Sequence, residues 1–486
     1  MKTLHSFILC LLMLGLCFVG ETARACAVAI VGTDNEPIQD EESLKSIEKK
    51  INDKEIEDIA ALDDIDKRFG KSGNTELRRL AVIALGLKGS LVSGTCHTRI
   101  DDAVNIWNEA DERYGDDPDP AIRAEIAQIL LKKLESLVAY YSEIPHAGLG
   151  KYSNAAFATF NALVKRYGED KDPIIRRKVA ISFMQKSRLL SVYPRSIEED
   201  FTENNASPME REALRKAEEM AARDVLDELV RRYGNDEDPE VSTTVSDAMY
   251  TKGQLFYSVG DVDEEMAAYD ELGRHYGKNE TLAVRLNVIK GFDTKAWRLF
   301  QKADSSTEKN YIPVFAVLDD IIGRFGDDAR LDVQVKLADI SIKRANILSR
   351  MEMPEKELIP IYDDIIQKYK KSESPEMRAQ VAAALANKAE FLAGKAKIND
   401  ALDLCDRVDE IYGKDNAPIV RLQVANTLNI KGELLIKQNK PKKALVVFNE
   451  VIRRYKKKGH YYGDIEIGMF AAVLEAERYR NKLSGK

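Results

Sequence analysis

The chain has 486 residues and a formal net charge of −8, with 44% hydrophobic, 32% charged and 7% aromatic residues. This hydrophobic fraction is too high for an intrinsically disordered chain and is sufficient for a folded core. Lys and Arg are interleaved with Asp and Glu along the whole length, so neither nucleic acid nor an anionic membrane surface is an expected partner.

The first 25 residues have the pattern of a secretory signal peptide. Lys2 precedes an apolar stretch from Phe7 to Val19 that is short for a membrane span, and Ala23-Arg24-Ala25 fits a cleavage site. We therefore predict cleavage after Ala25 and a periplasmic or secreted protein. A lipid tether at Cys26 is the alternative, although Arg24 fits a lipoprotein signal poorly. No second apolar span follows, and no transmembrane segment is predicted.

Three cysteines remain after this segment is removed: Cys26, Cys96 and Cys405. An odd number at wide separations is not a disulfide framework. Cys26 and Cys96 could pair in an oxidising compartment, although nothing in their spacing requires it. Cys405 falls at an apolar repeat position, so we expect it to be a small buried side chain.

An aromatic residue closes a helix-like segment nine times, and Gly usually follows it. The intervals have a base length of 43 residues, with additional residues in five of the eight. A period in this range is typical of stacked helical repeats, in which each unit buries its apolar face against its neighbours. The nine aromatic residues are Phe69, Tyr114, Tyr167, Tyr233, Tyr276, Phe325, Tyr369, Tyr412 and Tyr455.

Each repeat has the pattern of a helix, a variable connection, a second helix and a short acidic turn. A capping oxygen just before Pro predicts the start of the first helix, because Pro is tolerated at the first helical position. The Gly after the aromatic predicts the end of the second helix in the left-handed conformation that Gly adopts readily. The predicted starts are Asp119-Pro120, Asp172-Pro173, Asp238-Pro239 and Ser374-Pro375.

The additional residues all fall between the two helices of a repeat, where we predict loops along one edge of the stack. The longest covers about Ser191 to Arg211 and contains the acidic run Glu198-Glu199-Asp200. Loops at such an edge often bind partners. A disordered insertion without a function is an equally acceptable interpretation.

Two series of basic residues follow the same register, counted from each aromatic residue as position 0. Their functional interpretation is a ladder of cations along a groove, suited to an acidic or carboxylate-ended peptide. In the structural interpretation each Arg bridges the neighbouring Asp-rich turn, and each Lys lays its stem along apolar surface. We favour the structural interpretation, because the residues recur in nearly every repeat. Position 9 holds Arg78, Arg123, Arg176, Arg285, Arg378 and Arg421, and position 19 holds Lys88, Lys133, Lys186, Lys252, Lys295, Arg344, Lys388 and Lys431.

No catalytic or metal-binding constellation is predicted. Gly70-Lys71-Ser72 lacks the Gly that a phosphate loop needs five residues earlier, where Ile65 stands. Asp116, Asp117 and Asp119 alternate like calcium ligands, but the Gly and Glu of a calcium loop do not follow. The four His of the mature chain have no metal-ligand spacing. We therefore expect no enzymatic activity and no cofactor.

The segment from Leu428 to Val451 resembles a tetratricopeptide repeat, with Gly432, Leu435, Ala444 and Phe448 at the family's offsets. Ala389, Leu392, Ala401 and Cys405 repeat the pattern, and Gly253, Phe256 and Tyr269 do so with Glu265 in place of Ala. The similarity covers most of residues 55–480, although the unit is longer than the family's usual length of about 34 residues. It implies an all-α, right-handed α-solenoid of stacked antiparallel helix pairs, of an exported bacterial type.

We divide the chain on this basis. Residues 1–25 are the signal peptide, and residues 26–50 are a linker with the start of the first helix. Residues 51–215 hold irregular repeats with insertions, and residues 216–464 hold regular repeats. Residues 465–486 form a capping helix and tail.

The resemblance also implies a concave groove lined near positions 14, 17 and 21. These positions hold Asn426, Asn429 and Glu433 in the last full repeat, and Ala383, Ala386 and Glu390 in the one before. The Lys and Asn set with which some family members clamp a C-terminal carboxylate is not reproduced. The predicted partner-binding residues are Asn387, Glu390, Asn426, Asn429, Glu433, Arg378 and Arg421.

The predicted function is that of a non-enzymatic exported scaffold, which binds a protein or peptide through its groove and inter-helix loops. Small, amide and acidic groove residues favour a peptide, whereas aromatic groove residues would favour a sugar. The alternative is an accessory subunit in cell-envelope biogenesis that binds a glycan or a small molecule.

Overall fold

The computed structural model describes residues 59–94, 99–143, 149–201, 207–258, 260–457 and 463–485. The predicted signal peptide, Cys26 and Cys96 lie outside these ranges. The described residues form two compact units, one ending at Ala268 and the other beginning at Tyr269. The predicted change from irregular to regular repeats at residue 216 stays a prediction.

All regular secondary structure in the described ranges is α-helical, which confirms the predicted fold class. Helix α9, Val262–Tyr276, runs through the division between the units. The first unit also contains α1 Ile59–Phe69, α2 Thr75–Gly94, α3 Ile100–Tyr114, α4 Pro120–Glu143, α5 Leu149–Tyr167, α6 Pro173–Phe201, α7 Pro208–Tyr233 and α8 Pro239–Ser258. The second unit also contains α10 Leu282–Ser305, α11 Ile312–Phe325, α12 Leu331–Arg350, α13 Glu355–Tyr369, α14 Pro375–Gly394, α15 Ile398–Tyr412, α16 Pro418–Lys437, α17 Pro441–Tyr455 and α18 Asp464–Leu483.

Within each unit the helices stack in two layers. Apart from α9, each helix packs against the next one along the chain within its unit, and each even-numbered helix also packs against the next even-numbered helix of the unit. A repeat is therefore an even-numbered helix followed by an odd-numbered one, and the even-numbered helices form a continuous layer within each unit. This arrangement is an all-α solenoid of helix pairs, as predicted.

The predicted helix starts are confirmed by their hydrogen bonds. Asp119 Oδ1 accepts from the backbone N–H of Ala121 at 2.8 Å, and Asp172 Oδ1 does the same for Ile174 at 2.8 Å. Ser374 Oγ accepts from the N–H of Met377 at 3.3 Å. Each cap satisfies an N–H group that has no partner within its helix.

The Gly after the aromatic does not adopt the predicted left-handed conformation. Gly115 has φ −58° and ψ −29°, and Gly326 has φ −55° and ψ −35°, both in the right-handed region. Gly is needed here for close approach, because a Cβ at Gly115 would lie 2.4 Å from Nη1 of Arg166 in the next repeat. Positive φ occurs instead in the turn inside the repeat, at Gly260, Glu352 and other residues.

Small residues at position 20, counted from each aromatic residue, form a packing stripe that the second helix of the same repeat approaches closely. A Cβ on Gly432 would lie 2.4 Å from Cζ of Phe448, which belongs to the second helix of the same repeat. Gly89 stands in the same relation to Trp107, where the corresponding distance is 2.2 Å to Nε1. Cys405 is buried, as predicted, and burial raises the pKa of its thiol to about 12.

The insertions lie between the two helices of a repeat, but they lengthen the helices rather than forming loops alone. Helix α6 has 29 residues and α7 has 26, whereas α16 and α17 have 20 and 15. The predicted loop from Ser191 to Arg211 is therefore wrong for most of its length, because α6 continues to Phe201 and α7 starts at Pro208. Ser207 starts α7 with a capping box to Glu210.

Candidate functional site

The Arg residues at position 9 bind turns on both sides of their helix. Arg378 Nε donates to Asp415 Oδ2 at 2.7 Å in the following turn, and its Nη1 donates to the carbonyl oxygen of Glu373 in its own turn. The bond from Arg378 holds the pKa of Asp415 below its usual value. Equivalent pairs join Arg78 to Asp117, Arg123 to Asp170, Arg176 to Asp236 and Arg285 to Asp328. We call these Arg–Asp contacts the turn clamps.

Arg421 has no such Asp and bonds differently. Its Nη2 donates to the carbonyl oxygen of Arg454 at 3.3 Å, and its guanidinium lies over the ring of Tyr455. The guanidinium groups of Arg378 and Arg421 thus both make contacts within the chain, away from the predicted groove residues. These contacts support the structural interpretation of the Arg series.

The basic residues at position 19 pair with the preceding odd-numbered helix. Lys252 Nζ donates to Asp227 Oδ1 at 2.5 Å, and Lys388 Nζ donates to Asp363 Oδ1 at 2.7 Å. Lys186 instead lies over the ring of Phe160. The same pairing joins Lys88 to Asp63, Lys133 to Asn108, Lys295 to Asp270, Arg344 to Asp319 and Lys431 to Asp406. No ladder of free cations therefore arises from this series.

The predicted groove residues of α14 are partly engaged. Asn387 donates to the carbonyl oxygen of Ala383 at 2.8 Å, and its Oδ1 accepts from Asn346 of α12 at 2.8 Å. Glu390 is exposed. Partial desolvation raises the pKa of the Glu390 carboxyl, and repulsion from Glu433 and Glu475 raises it further.

The predicted groove residues of α16 lie against α18. Asn426 is exposed and lines a cavity of about 560 Å³ together with Glu475. Asn429 is buried, and its Nδ2 donates to the carbonyl oxygen of Ala472 at 2.8 Å. Glu433 is half-buried. Asn429 Nδ2 also lies 3.4 Å from Glu475 Oε2, so α16 and α18 bring an amide and a carboxylate together.

A second cavity, of about 480 Å³, opens between α10, α11 and α12. Trp297 on α10 borders it and is 55% exposed. The indole stacks on Phe300 at a centroid distance of 5.6 Å, and Phe300 stacks on Tyr311 at 5.8 Å. Val314, Leu318 and Ile347 add aliphatic surface. We call this cavity the Trp297 pocket.

The rim of the Trp297 pocket is polar, and most of its charge is already paired. Lys343 donates to both carboxylate oxygens of Asp293, at 2.8 and 2.7 Å, and contacts Asp339 at 2.8 Å. The Arg350 guanidinium lies over Phe300 and 3.7 Å from Asp304. An apolar interior with a neutralised rim can hold a large apolar or aromatic side chain.

The Trp297 pocket was missed by the sequence reasoning, although the register could have found it. Trp297 lies at position 21 after Tyr276, and Asn346 lies at position 21 after Phe325. These are the positions of Glu390 and Glu433 two and three repeats later. Reading the groove positions through all repeats would have selected the exposed indole.

The described residues provide no site for a metal ion, because no three or more of their His, Cys, Asp and Glu side chains are grouped to hold one. Within the same residues, no helix is long and apolar enough to cross a membrane.

No protein-family model and no curated protein matches the chain. Kap121p bound to RanGTP is similar at 12% identity over 96% of this chain and 54% of its own, with a TM-score of 0.29. Kap95p, in a structure that concerns the switch loops of RanGDP, matches at 11% identity over 95% of this chain and 63% of its own, with a TM-score of 0.31. Yeast Tom70 matches at 12% identity over 82% and 96%, with a TM-score of 0.22.

The chain spans about half the length of Kap121p. TM-scores below 0.5 do not indicate a shared fold.

Proposed function

We propose that this chain is a non-enzymatic, exported scaffold of the tetratricopeptide-repeat type. It binds an extended protein or peptide along the groove positions of its even-numbered helices. The Trp297 pocket holds one large apolar side chain of that partner. The observation that carries the proposal is the exposed indole of Trp297 beside an apolar cavity.

Exposure of this indole is costly without a partner, because Trp is among the residues whose burial contributes most to protein interfaces. Val314, Leu318 and Ile347 add aliphatic lining beside the aromatic rings, so the pocket is more than an aromatic platform. An apolar side chain of a peptide fits this lining better than a sugar ring, whose hydroxyl groups need hydrogen-bond partners.

The chain contains two Trp residues, and only Trp297 is exposed, since Trp107 is buried. Trp297 fluorescence therefore reports on the pocket directly. Mature protein, residues 26–486, is titrated with protein fractions of an envelope extract. We expect a blue shift of the emission and protection from acrylamide quenching as the indole leaves water.

Two variants control the fluorescence titration. Trp297→Phe leaves only the buried indole and should abolish the shift. Val446→Ala removes an exposed apolar side chain of α17 and should leave the shift unchanged. Unchanged fluorescence and quenching at saturating partner would contradict the proposal.

The second candidate function, glycan binding, is favoured by the same exposed indole, because aromatic faces also stack on ligand rings. It predicts that the shift survives exhaustive protease treatment of the extract. It also predicts that the shift disappears after glycosidase treatment.

The intact mass of the exported protein tests the predicted start at Cys26 and distinguishes a free N-terminus from a lipidated one.

A further inference from the structure

The last described helix, α18, carries apolar side chains on two opposite faces. Ala472, Val473 and Ala476 are buried in the core that the helix shares with α16 and α17. On the other face Ile467 is 56% exposed and Leu474 is 46% exposed. A helix at the end of a stack of repeats normally presents polar residues opposite its buried face. The exposed face of α18 therefore has the composition of a contact surface.

Five exposed residues line this face at alternating steps of three and four residues, the spacing of one side of a helix. Along the helix their chemistry is acidic, aliphatic, small, aliphatic and basic. Asp464 stands seven residues before Ala471, and Arg478 stands seven residues after it. The order is therefore symmetric about Ala471 except that the sign of the charge is inverted. We call these residues the α18 seam: Asp464, Ile467, Ala471, Leu474 and Arg478.

The charges at the two ends of the α18 seam are accessible to a partner. Asp464 is exposed in the first turn of the helix. The Arg478 side chain is 71% exposed, and the nearest carboxylate oxygen, of Glu475, is 4.0 Å away. This separation is too long for a hydrogen bond, so the Arg478 guanidinium can bind another carboxylate.

A second copy of this chain has the surface that matches the α18 seam. When two α18 helices run antiparallel about a two-fold axis at Ala471, Asp464 of each copy lies opposite Arg478 of the other. Ile467 of each copy then faces Leu474 of the other. The small side chain of Ala471 at the axis allows the two backbones to approach closely. A parallel pairing would instead place like charges side by side, which is unfavourable.

The cavity between α16 and α18 extends this surface beyond one helix. Leu474 and Arg478 border the cavity of about 560 Å³ together with Leu422 of α16. Asn426, one of the predicted groove residues, lines the same cavity. A helix that lies on the α18 seam therefore also covers part of α16.

We propose that the α18 seam is a self-association surface, through which two copies of the chain pair antiparallel about Ala471. Each copy uses the same patch, so the contact is closed and association stops at the dimer. Dimerisation covers Asn426 at one end of the predicted groove and uses no residue of the Trp297 pocket. Self-association is therefore independent of the apolar anchor in the proposed function.

Sedimentation velocity of the mature chain, residues 26–486, from about 1 to 100 µM measures the association. We expect a monomer–dimer equilibrium whose mass does not exceed that of the dimer. Ala471→Glu places two like charges at the axis and should weaken dimerisation more than about tenfold. Its circular dichroism should stay unchanged, because Ala471 is exposed. The matched control is Val446→Glu, at an exposed apolar residue of α17, which should change the dissociation constant less than about twofold.

A charge exchange tests the antiparallel alignment. Asp464→Arg alone and Arg478→Asp alone each turn two attractive pairs of the dimer into repulsive ones, and each should weaken dimerisation about tenfold. The double variant has the net charge of the wild type and again opposes unlike charges. It should restore the dissociation constant to within about threefold. A double variant as weak as the single ones would overturn the antiparallel pairing.

Three further outcomes would overturn the self-association surface. The first is a monomer over the whole concentration range, which would leave the α18 seam to a different protein. The second is a mass that grows beyond the dimer, because a head-to-tail contact does not close. The third is equal weakening by Ala471→Glu and Val446→Glu. A monomer that retains the Trp297 fluorescence shift would reject this surface alone and leave the proposed function standing.

Discussion

Two faces of the same even-numbered helices differ in how their residues repeat. At positions 9 and 19 the residue type recurs from repeat to repeat, and its charge is mostly paired within the chain, as in Arg378 with Asp415 and Lys388 with Asp363. At position 21 the residue changes from Trp297 to Asn346, Glu390 and Glu433. A contact between repeats needs the same side chain each time, whereas a ligand differs along its length. A residue type that recurs at a fixed position therefore indicates a contact between repeats. A residue type that varies at a fixed position indicates a surface that is free to differ from repeat to repeat.

The largest effect on stability is expected from a comparison of two adjacent residues of α16. Gly432 lies in the packing stripe, and Glu433 lies on the groove face. Gly432→Leu should destabilise the last repeats by about 3 kcal/mol, because even a Cβ would lie 2.4 Å from Phe448 Cζ. Native-state hydrogen exchange should show protection lost first in α16, α17 and α18, with α1 to α4 unchanged.

The control for this variant is Glu433→Gln. It should change protection by less than about 0.5 kcal/mol, because Gln keeps the shape and an acceptor oxygen of the half-buried side chain. Uniform loss of protection along the whole chain in Gly432→Leu would contradict the repeat-by-repeat picture.

A smaller effect is expected from opening one turn clamp. Arg378→Met leaves the mostly buried Asp415 carboxylate and the Glu373 carbonyl without their guanidinium donor, at a cost of about 2 kcal/mol. Arg453→Met removes an exposed guanidinium that pairs with Glu450 and should cost less than about 0.5 kcal/mol. Hydrogen exchange of α14 and α16 measures both, and equal costs would show that the clamps do not differ from surface ion pairs.

The same clamp gives a pH dependence whose sign is fixed. The pKa of Asp415 is lower in the folded chain than its ordinary 3.8, so the clamp stabilises the fold fully above about pH 4. This stabilisation is lost as pH falls from 3.8 through the lowered pKa. The stability difference between wild type and Arg378→Met should therefore shrink below pH 4, and a constant difference down to pH 2 would contradict the clamp.

The helical fold and the helix starts followed from the sequence, because they depend on local chemistry. Asp119 caps its helix through a bond to a residue two positions along the chain. The resemblance to a tetratricopeptide repeat singled out Gly432 and Phe448, which lie against each other in the structure. Two expectations failed where tertiary contacts override local preference. Gly115 is right-handed, since its role is to admit Arg166 of the next repeat. The insertion after Ser191 is mostly helix, since α6 continues to Phe201 and α7 starts at Pro208.

The candidate site was less predictable than the fold. Glu390, Asn426, Asn429 and Glu433 were selected by their register, but the sequence could not show that Glu475 approaches Asn429 from α18. That proximity depends on how α16 and α18 stack. The Trp297 pocket was likewise beyond single-repeat reasoning, because its lining comes from three helices.

The smallest effect on stability tests whether the aromatic residue that ends each repeat also joins that repeat to its neighbour. The Tyr167 hydroxyl is buried and donates to the carbonyl oxygen of Gly115 at 2.9 Å, and burial raises its pKa to about 12. Tyr167→Phe should therefore cost about 1 kcal/mol, the net worth of one hydrogen bond plus an acceptor left without its donor. Tyr412→Phe should cost less, because the Tyr412 hydroxyl has no hydrogen bond to the described residues. Hydrogen exchange of α3 to α5 and of α15 measures the two costs.

Neither substitution should alter the fluorescence shift of Trp297, since both residues lie outside the groove positions. Equal costs would show that ring packing alone, without the hydroxyl, joins one repeat to the next.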